Sequence, residues 1–423
     1  MNYEKEILKR LLEKYEKSRA FTTGIFSKRI ALTVIQESWI QERMERPDEK
    51  HLFLKSLDDL KRNGLIDYSW QKYEEGNLVD KIWLIPDVRT IRICYDRLGR
   101  TPAKEKADEL HEMLEDCLQK LDLESPLSHF LKICMEELEK KRRIQRFFTD
   151  DRKLNEDILK CLVYMEGNQE EQMERLMSTG LYGDSKYFEK HVKPKVLPIL
   201  RCIKQEESED VLEDEDLLRE KGIVRWPEIL EFTGRLVVCL KDEEVIDYRT
   251  QKYGAYINSE TVKQISEVRP DRIRRVMFIE NKANYIWYVT HEKADNELVI
   301  YHGGCYSPLK GKWFQKIYAG CQKQKEKVQY FHWSDIDVGG FRIFRRLQKN
   351  IVSELEPYKM DENTLEKYKD DAMEIRSESY LRKLSELGQN LEYACFHGVI
   401  SVMLKYHIRL EQEKIITAIL SCY

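Results

Sequence analysis

Two apolar runs in this chain each end in carboxylate. Val276-Met277-Phe278-Ile279 delivers Glu280 at the head of Glu280-Asn281-Lys282-Ala283-Asn284-Tyr285, and Val328-Gln329-Tyr330-Phe331-His332-Trp333 delivers Asp335-Ile336-Asp337-Val338-Gly339-Gly340. Aspartates at i and i+2 at a strand end point their side chains to one side. There they can share hard divalent cations such as Mg²⁺ or Mn²⁺, which prefer carboxylate oxygens. Phosphodiester cleavage needs the phosphoryl charge neutralised, the leaving oxygen stabilised and a water activated. One or two such ions, about 4 Å apart when paired, serve all three needs. Glu280, from a different strand, would complete the metal shell or act as general acid/base. The glycines after Asp337 allow close approach and open a helix whose N-terminus favours phosphate. That helix carries Arg342, Arg345, Arg346 and Lys349 opposite Phe341, Phe344, Leu347 and Ile351. Basic residues beside an acidic metal site suit a polyanionic substrate.

A lone Asp-x-Asp is a weak signal. It occurs in ordinary loops, in glycosyltransferases and in the nucleophile loop of haloacid-dehalogenase-type phosphatases. The phosphatase reading wants the pair near the start of its domain, whereas here it follows the third strand, and it gives Glu280 no role.

The elements that must position these residues alternate. Strand 276–279, a helix near 281–290, strand 297–301, the Gly303-Gly304 turn, a helix near 308–320, strand 328–333 and a helix over 340–355 predict a parallel sheet. Sites in such sheets lie at the carboxyl ends of the strands, where Glu280, the glycine turn and Asp335/Asp337 all fall. The helical C-terminal part, with an apolar stripe from Ala394 to Tyr406 and then Arg409-Leu410-Glu411-Gln412-Glu413, is expected to pack on that sheet.

Upstream, Ile7, Leu8, Leu11, Leu12 and Tyr15 mark a first helix, Ile30 to Trp39 a second apolar stripe, and Pro47 opens a third helix stopped at Asn63-Gly64. Strands at 65–70 and 81–85 then form a hairpin. Three helices and a hairpin describe a winged helix, a module that docks either a DNA major groove or a protein. Residues 101–165 read as helical, with the basic run Glu139 to Arg146 as a solvated face or a DNA contact. Gly183-Asp184-Ser185-Lys186 caps a helix and could present Lys186 to a phosphate, although alone it is just a helix start. Glu206 to Glu220 is acidic, most simply a solvated connector, and 226–258 is a small mixed region of short strands.

The expected organisation is therefore multidomain α+β. It comprises a winged-helix-like domain over 1–90, a helical arm over 91–165, a middle domain over 166–270 and a catalytic α/β domain with C-terminal helices over 271–423. The chain has 423 residues, 42% hydrophobic and 35% charged, and a net charge of −4, so it is no polycation and only local basic stripes would meet phosphate. No apolar run is long enough to span a membrane and the first residues carry no secretory pattern. Ten cysteines, scattered singly from Cys94 to Cys422, argue against a zinc ribbon or disulfide framework and for a cytoplasmic setting.

Glu280 on the first strand with Asp335-x-Asp337 on the third resembles the Toprim domain of topoisomerases, primases and several nucleases. More specifically, Phe278-Ile279-Glu280-Asn281-Lys282, Tyr301-His302-Gly303-Gly304 and Trp333-Ser334-Asp335-Ile336-Asp337-Val338-Gly339-Gly340-Phe341 are similar to the D-subunit family of Wadjet anti-plasmid systems, related to the A subunit of topoisomerase VI. Tyr182 to Glu189, Met360-Asp361-Glu362-Asn363-Thr364-Leu365 and Leu410-Glu411-Gln412-Glu413 extend the likeness over roughly 170–423. Two positions depart from it: Ser334 stands where glycine is common and Val338 where proline is common, and neither removes a carboxylate. The resemblance implies a Toprim fold with a CAP-like middle domain and an Mg²⁺- or Mn²⁺-dependent endonuclease. That nuclease would be dimeric and would cut plasmid DNA presented by a condensin-like SMC–kleisin–kite complex. It makes Glu280 the catalytic carboxylate, Asp335 and Asp337 the metal ligands, and Lys186 and Lys282 lesser candidates for DNA or structural contacts. Two rivals remain: a DNA-binding subunit whose acidic cluster is structural, and a topoisomerase-like transesterase, for which no tyrosine stands in an identifiable motif.

Overall fold

The computed structural model describes residues 2–144, 146–207 and 213–420 and divides into two compact units, Met1–Leu159 and Lys160–Tyr423. In the first unit, helices Tyr3–Glu16 and Pro47–Arg62 bury Ile7, Leu8, Leu11, Leu12, Phe53, Leu57 and Leu60 against a three-stranded antiparallel sheet. The expected hairpin is there, Ile66–Trp70 with Val79–Leu84. The second apolar stripe is helical only in part: Ala31–Thr33 is a third strand, paired with Lys81–Trp83, before a short turn of helix at Val34–Gln36 and the helix Ser38–Met44. The β-branched residues of Ile30-Ala31-Leu32-Thr33-Val34-Ile35 favour a half-buried pleat over a helix. This core also takes in Ile91, Cys94 and Tyr95 of helix Val88–Leu98, so it crosses the expected limit at residue 90. Helices Ala103–Leu118, Pro126–Lys141 and Arg152–Gly167 follow. The basic run is laced with ion pairs, Lys140 to Glu136, Lys141 to Glu137 and Arg142 to Asp108, as a solvated face would be; its Gln145 lies outside the described residues.

The second unit is built on a six-stranded sheet. Its strands are β1 (Ile229–Thr233), β2 (Ala255–Asn258), β3 (Arg275–Ile279), β4 (Glu297–Tyr301), β5 (Gln329–Trp333) and β6 (Leu355–Pro357), in the spatial order β6-β5-β3-β4-β1-β2. β6, β5, β3 and β4 run parallel, whereas β1 is antiparallel to both β4 and β2. The expected boundary at 270/271 is therefore crossed, because β1 and β2 belong to the same hydrophobic core as β3. The sheet is mixed, and the short β6 was not foreseen. Of the acidic run 206–220, residues 208–212 lie outside the described residues, and Asp214–Glu220 is helical.

Helices cover both faces. α1 (Lys282–His291) sets Tyr288 beside Trp333 on one face; α2 (Pro308–Gln322) and α3 (Val338–Asn350) set Phe314 beside Phe278 and Phe344 beside His332 on the other. That is why β3 reads as an unbroken apolar run: every one of Val276, Met277, Phe278 and Ile279 is buried. The last described helix, α4 (Gln412–Leu420), lies beside α1.

α2 also seats closely on strand Ile265–Pro270 of a separate three-stranded antiparallel sheet. A Cβ at Gly320 would stand 2.2 Å from the Val268 carbonyl oxygen and 3.0 Å from Pro270. Gly320→Ala is expected to cost about 1–3 kcal/mol through forced backbone movement, despite the better helix propensity of alanine. Thermal denaturation of the full chain reads this, and an unchanged melting temperature would contradict the close seating.

Candidate metal centre

Strand register assembles the site. Ile279 of β3 is level with Tyr301 of β4 and Trp333 of β5, so the three strands end together. The ladder runs one step further on each side: Glu280 N–H donates to the Trp333 carbonyl at 3.0 Å, and His302 N–H donates to the Ile279 carbonyl at 3.0 Å. Glu280 thus leaves the sheet between the glycine turn and the Asp335 loop. Gly303 and Gly304 have φ of 63° and 69°, a backbone that L side chains rarely adopt, and a Cβ on Gly304 would lie 3.8 Å from Glu280 Oε1. The turn packs directly against that carboxylate.

On the third strand, Asp337 caps α3 and its Oδ1 accepts from Gly340 N–H at 2.7 Å. Gly340 is needed for contact with protein rather than for room to admit substrate. A Cβ there would stand 2.2 Å from the Asp335 carbonyl oxygen and 2.6 Å from Ser334 Oγ. The buried Tyr380 hydroxyl accepts from Val338 N–H at 2.9 Å and braces the same turn. Burial, the neighbouring Asp337 carboxylate and, further out, Glu413 and Glu411 push the Asp335 carboxyl up to about 7, against a hydrogen bond from Gln412 N–H.

Glu411, Gln412 and Glu413 are the site residues that the carboxylate spacing did not reveal. The segment before α4 pairs with the Asp335 loop: Ile336 N–H donates to the Leu410 carbonyl at 2.8 Å and Leu410 N–H donates back at 3.3 Å. Gln412 N–H donates to Asp335 Oδ1 at 2.7 Å, its side-chain oxygen accepts from Asn281 N–H at 3.1 Å, and its carbonyl accepts from Asn284 Nδ2 at 3.0 Å. Asn281 Nδ2 also donates to Glu413. The signal in the sequence was the family resemblance of Leu410-Glu411-Gln412-Glu413, which marked the stretch without giving it a place beside Asp335.

Beneath the glycine turn lies a buried histidine pair. His302 Nδ1–H bonds the Gly304 carbonyl at 3.0 Å, leaving its Nε2 to accept from His332 Nε2–H at 3.1 Å. Burial pushes His302 down to about 3 and His332 well below its ordinary value, so both are neutral. Lys310, itself buried, donates to the His302 carbonyl at 3.0 Å.

The basic candidates are mostly engaged within the protein. Lys282 pairs with Glu231 of β1 and lies 4.7 Å from the Tyr301 ring centre. Arg345 bonds Gln348 and Glu392, and Arg346 lies 4.5 Å over the Tyr306 ring. Arg342 is partly buried, with Nη1 lacking a hydrogen-bond partner. Lys186 is exposed in the turn after Glu174–Tyr182, its N–H held by Asp184.

By donor chemistry the cluster fits a hard divalent cation: Asp335, Asp337, Glu411 and Glu413 offer only oxygen and repel one another. By geometry, no three His, Cys, Asp or Glu side chains among the described residues converge on one point. Asp335 and Asp337 instead each accept from a backbone N–H.

Because Asp335 is harder to ionise folded than unfolded, its destabilising effect is absent below about pH 4, grows as pH rises, and is complete above about 7. Asp335→Asn keeps an oxygen for Gln412 N–H. It is expected to raise metal-free stability at pH 8 by at most roughly 4 kcal/mol and to change it little at pH 4. Melting curves across that range check this, and a pH-independent difference would contradict it.

Residues 233–421, from the end of β1 to the last helix, match the family model described as Wadjet protein JetD, C-terminal. The whole chain is 28% identical over 428 aligned residues to the Wadjet protein JetD of Bacillus cereus (strain Q1), covering 98% of this chain and 99% of that protein. The chain thus resembles Wadjet protein JetD along its length, and its sheet, glycine turn and acidic cluster all lie within or at the edge of the matched C-terminal region.

Proposed function

We propose that this protein is the metal-dependent DNA endonuclease of a Wadjet-type plasmid-defence system, with a Toprim-type catalytic domain. One observation carries the reading: adjacent parallel strands end in Glu280 and Asp335, and the Asp335 carboxyl is held near neutrality by burial and by surrounding carboxylates. A site in which like charges are forced together is one that a cation relieves. Glu280, Asp335 and Asp337 would hold Mg²⁺ or Mn²⁺, which when bound supplies Lewis-acid stabilisation of the phosphoryl oxygens and a more acidic water. On this reading Glu280, seated against the glycine turn, would either complete the metal shell or serve as general acid/base. The N-terminus of the helix that starts at Val338 would offer positive potential to the DNA backbone. The partners on this reading are double-stranded plasmid DNA, a condensin-like SMC–kleisin–kite complex that presents it, and a second copy of the chain. No described helix is long and apolar enough to cross a membrane.

A second reading has its own observation. Asp335 and Asp337 each accept from a backbone N–H and no ligand trio is assembled among the described residues, which favours a structural cluster in a DNA-binding subunit.

Incubation of the full chain, with its SMC partners, on circular plasmid with Mg²⁺ or Mn²⁺ separates the two. Wild-type cutting that needs metal and falls at least about a hundredfold in Glu280→Gln and Asp335→Asn is expected for loss of a charged catalytic group. Undiminished cutting by those variants would overturn the assignment of catalysis to these carboxylates, DNA binding without cutting would favour the second reading, and DNA covalently trapped on the protein would overturn hydrolysis.

A further inference from the structure

One buried residue touches both carboxylate-bearing loops. Gln412 is 1% exposed, and three of its polar groups reach across the strand ends. Its N–H holds Asp335 Oδ1 at 2.7 Å on the β5 side. Its side-chain oxygen holds Asn281 N–H at 3.1 Å, next to Glu280 on the β3 side. Its carbonyl holds Asn284 Nδ2 at 3.0 Å, and Asn284 is fully buried in α1. Gln412 Nε2 has no partner although it is buried. A buried amide that leaves a donor unmet costs stability that an apolar residue of the same shape would not. Packing alone therefore does not account for glutamine at this position.

We propose that Gln412 is a positioning residue that fixes the Glu280 turn against the Asp335 loop, so that carboxylates from two strands face one cation. The inference rests on the metal-centre reading above. Neither strand pairing nor the helix caps set this distance by themselves. The ladder between β3 and β5 ends at Glu280 N–H, and the Asp335 loop beyond it is tied down by the Ile336–Leu410 pairing and by Gln412. Gln412 does not touch the reacting atoms; it acts through the backbone of Asn281 and the carboxylate of Asp335. The same contacts make α4 part of the site, since Gln412 is its first residue.

The test uses the full chain and three variants. Gln412→Met keeps shape and removes the acceptor, Gln412→Glu keeps an acceptor oxygen, and Asn284→Ala removes the donor that holds the Gln412 carbonyl in place. Two quantities are read: hydrogen exchange in peptides spanning 280–284, and Mn²⁺ affinity by calorimetry. Gln412→Met is expected to speed exchange of the Asn281 amide and weaken Mn²⁺ binding, each by at least about tenfold, the scale of one hydrogen bond to a buried group. Gln412→Glu is expected to retain slow exchange of the Asn281 amide; because its added charge would itself alter Mn²⁺ affinity, only exchange is read on it. Asn284→Ala should shift both quantities in the direction of Gln412→Met, and it serves if the methionine variant does not fold. Unchanged exchange in folded Gln412→Met, or faster exchange with Mn²⁺ affinity intact, overturns the positioning role. If the wild type binds no Mn²⁺, or Asp335→Asn binds it equally well, the metal-centre reading fails instead. The two failures are thus told apart.

Discussion

Mutual repulsion among carboxylates at one end of a sheet is the constraint around which this structure is arranged. Asp335 stands among Asp337, Glu411 and Glu413 and is itself largely buried, so its ionised form is disfavoured. Groups left to themselves would separate, because a surface acidic loop can relax into water. Here they are prevented. The β3–β5 ladder, the cap by Asp337 on α3, the close fit of Gly340 under Asp335 and the Leu410–Gln412 segment each hold one member in place. The energy that this concentration of charge costs is supplied by the core beneath, where Trp333, Phe278, Phe341 and Phe344 are fully buried. Each such side chain contributes about 1.5–3 kcal/mol relative to exposure.

That division of labour places function at an edge and stability underneath. β3 is apolar on both faces from Val276 to Ile279, and the polarity changes at Glu280 within a single step. The buried histidine pair follows the same logic. Held neutral, His302 bonds the glycine turn and His332 bonds His302, without adding charge of either sign below the acidic cluster.

Much of this was legible in the sequence, for physical reasons that differ by element. β3, β4 and β5 were found nearly to the residue because strands covered on both faces are continuous apolar runs flanked by turn residues. Glu280, Asp335 and Asp337 stood out as candidates because their type changes abruptly where those runs stop. The first part of the stripe 30–39 was misread because a short apolar run does not distinguish a strand from a helix by spacing. The antiparallel partners β1 and β2 were set apart from the sheet because pairing between segments separated by loops leaves no local trace. Gln412 was invisible as a site residue for the same reason: its contacts, to Asn281, Asn284 and Asp335, are all distant in sequence. The basic residues of α3 were counted as a stripe, whereas Arg345 and Arg346 are partly engaged by Glu392 and Tyr306.

The central claim is that these carboxylates form a metal centre, and an anomalous difference map from Mn²⁺-soaked crystals of the full chain tests it most directly. The account predicts a peak within about 2.5 Å of an Asp335 carboxylate oxygen and of oxygens from Glu280 or Asp337. A map with no peak at the ends of β3 and β5, from crystals whose Mn²⁺ is seen elsewhere, would contradict it.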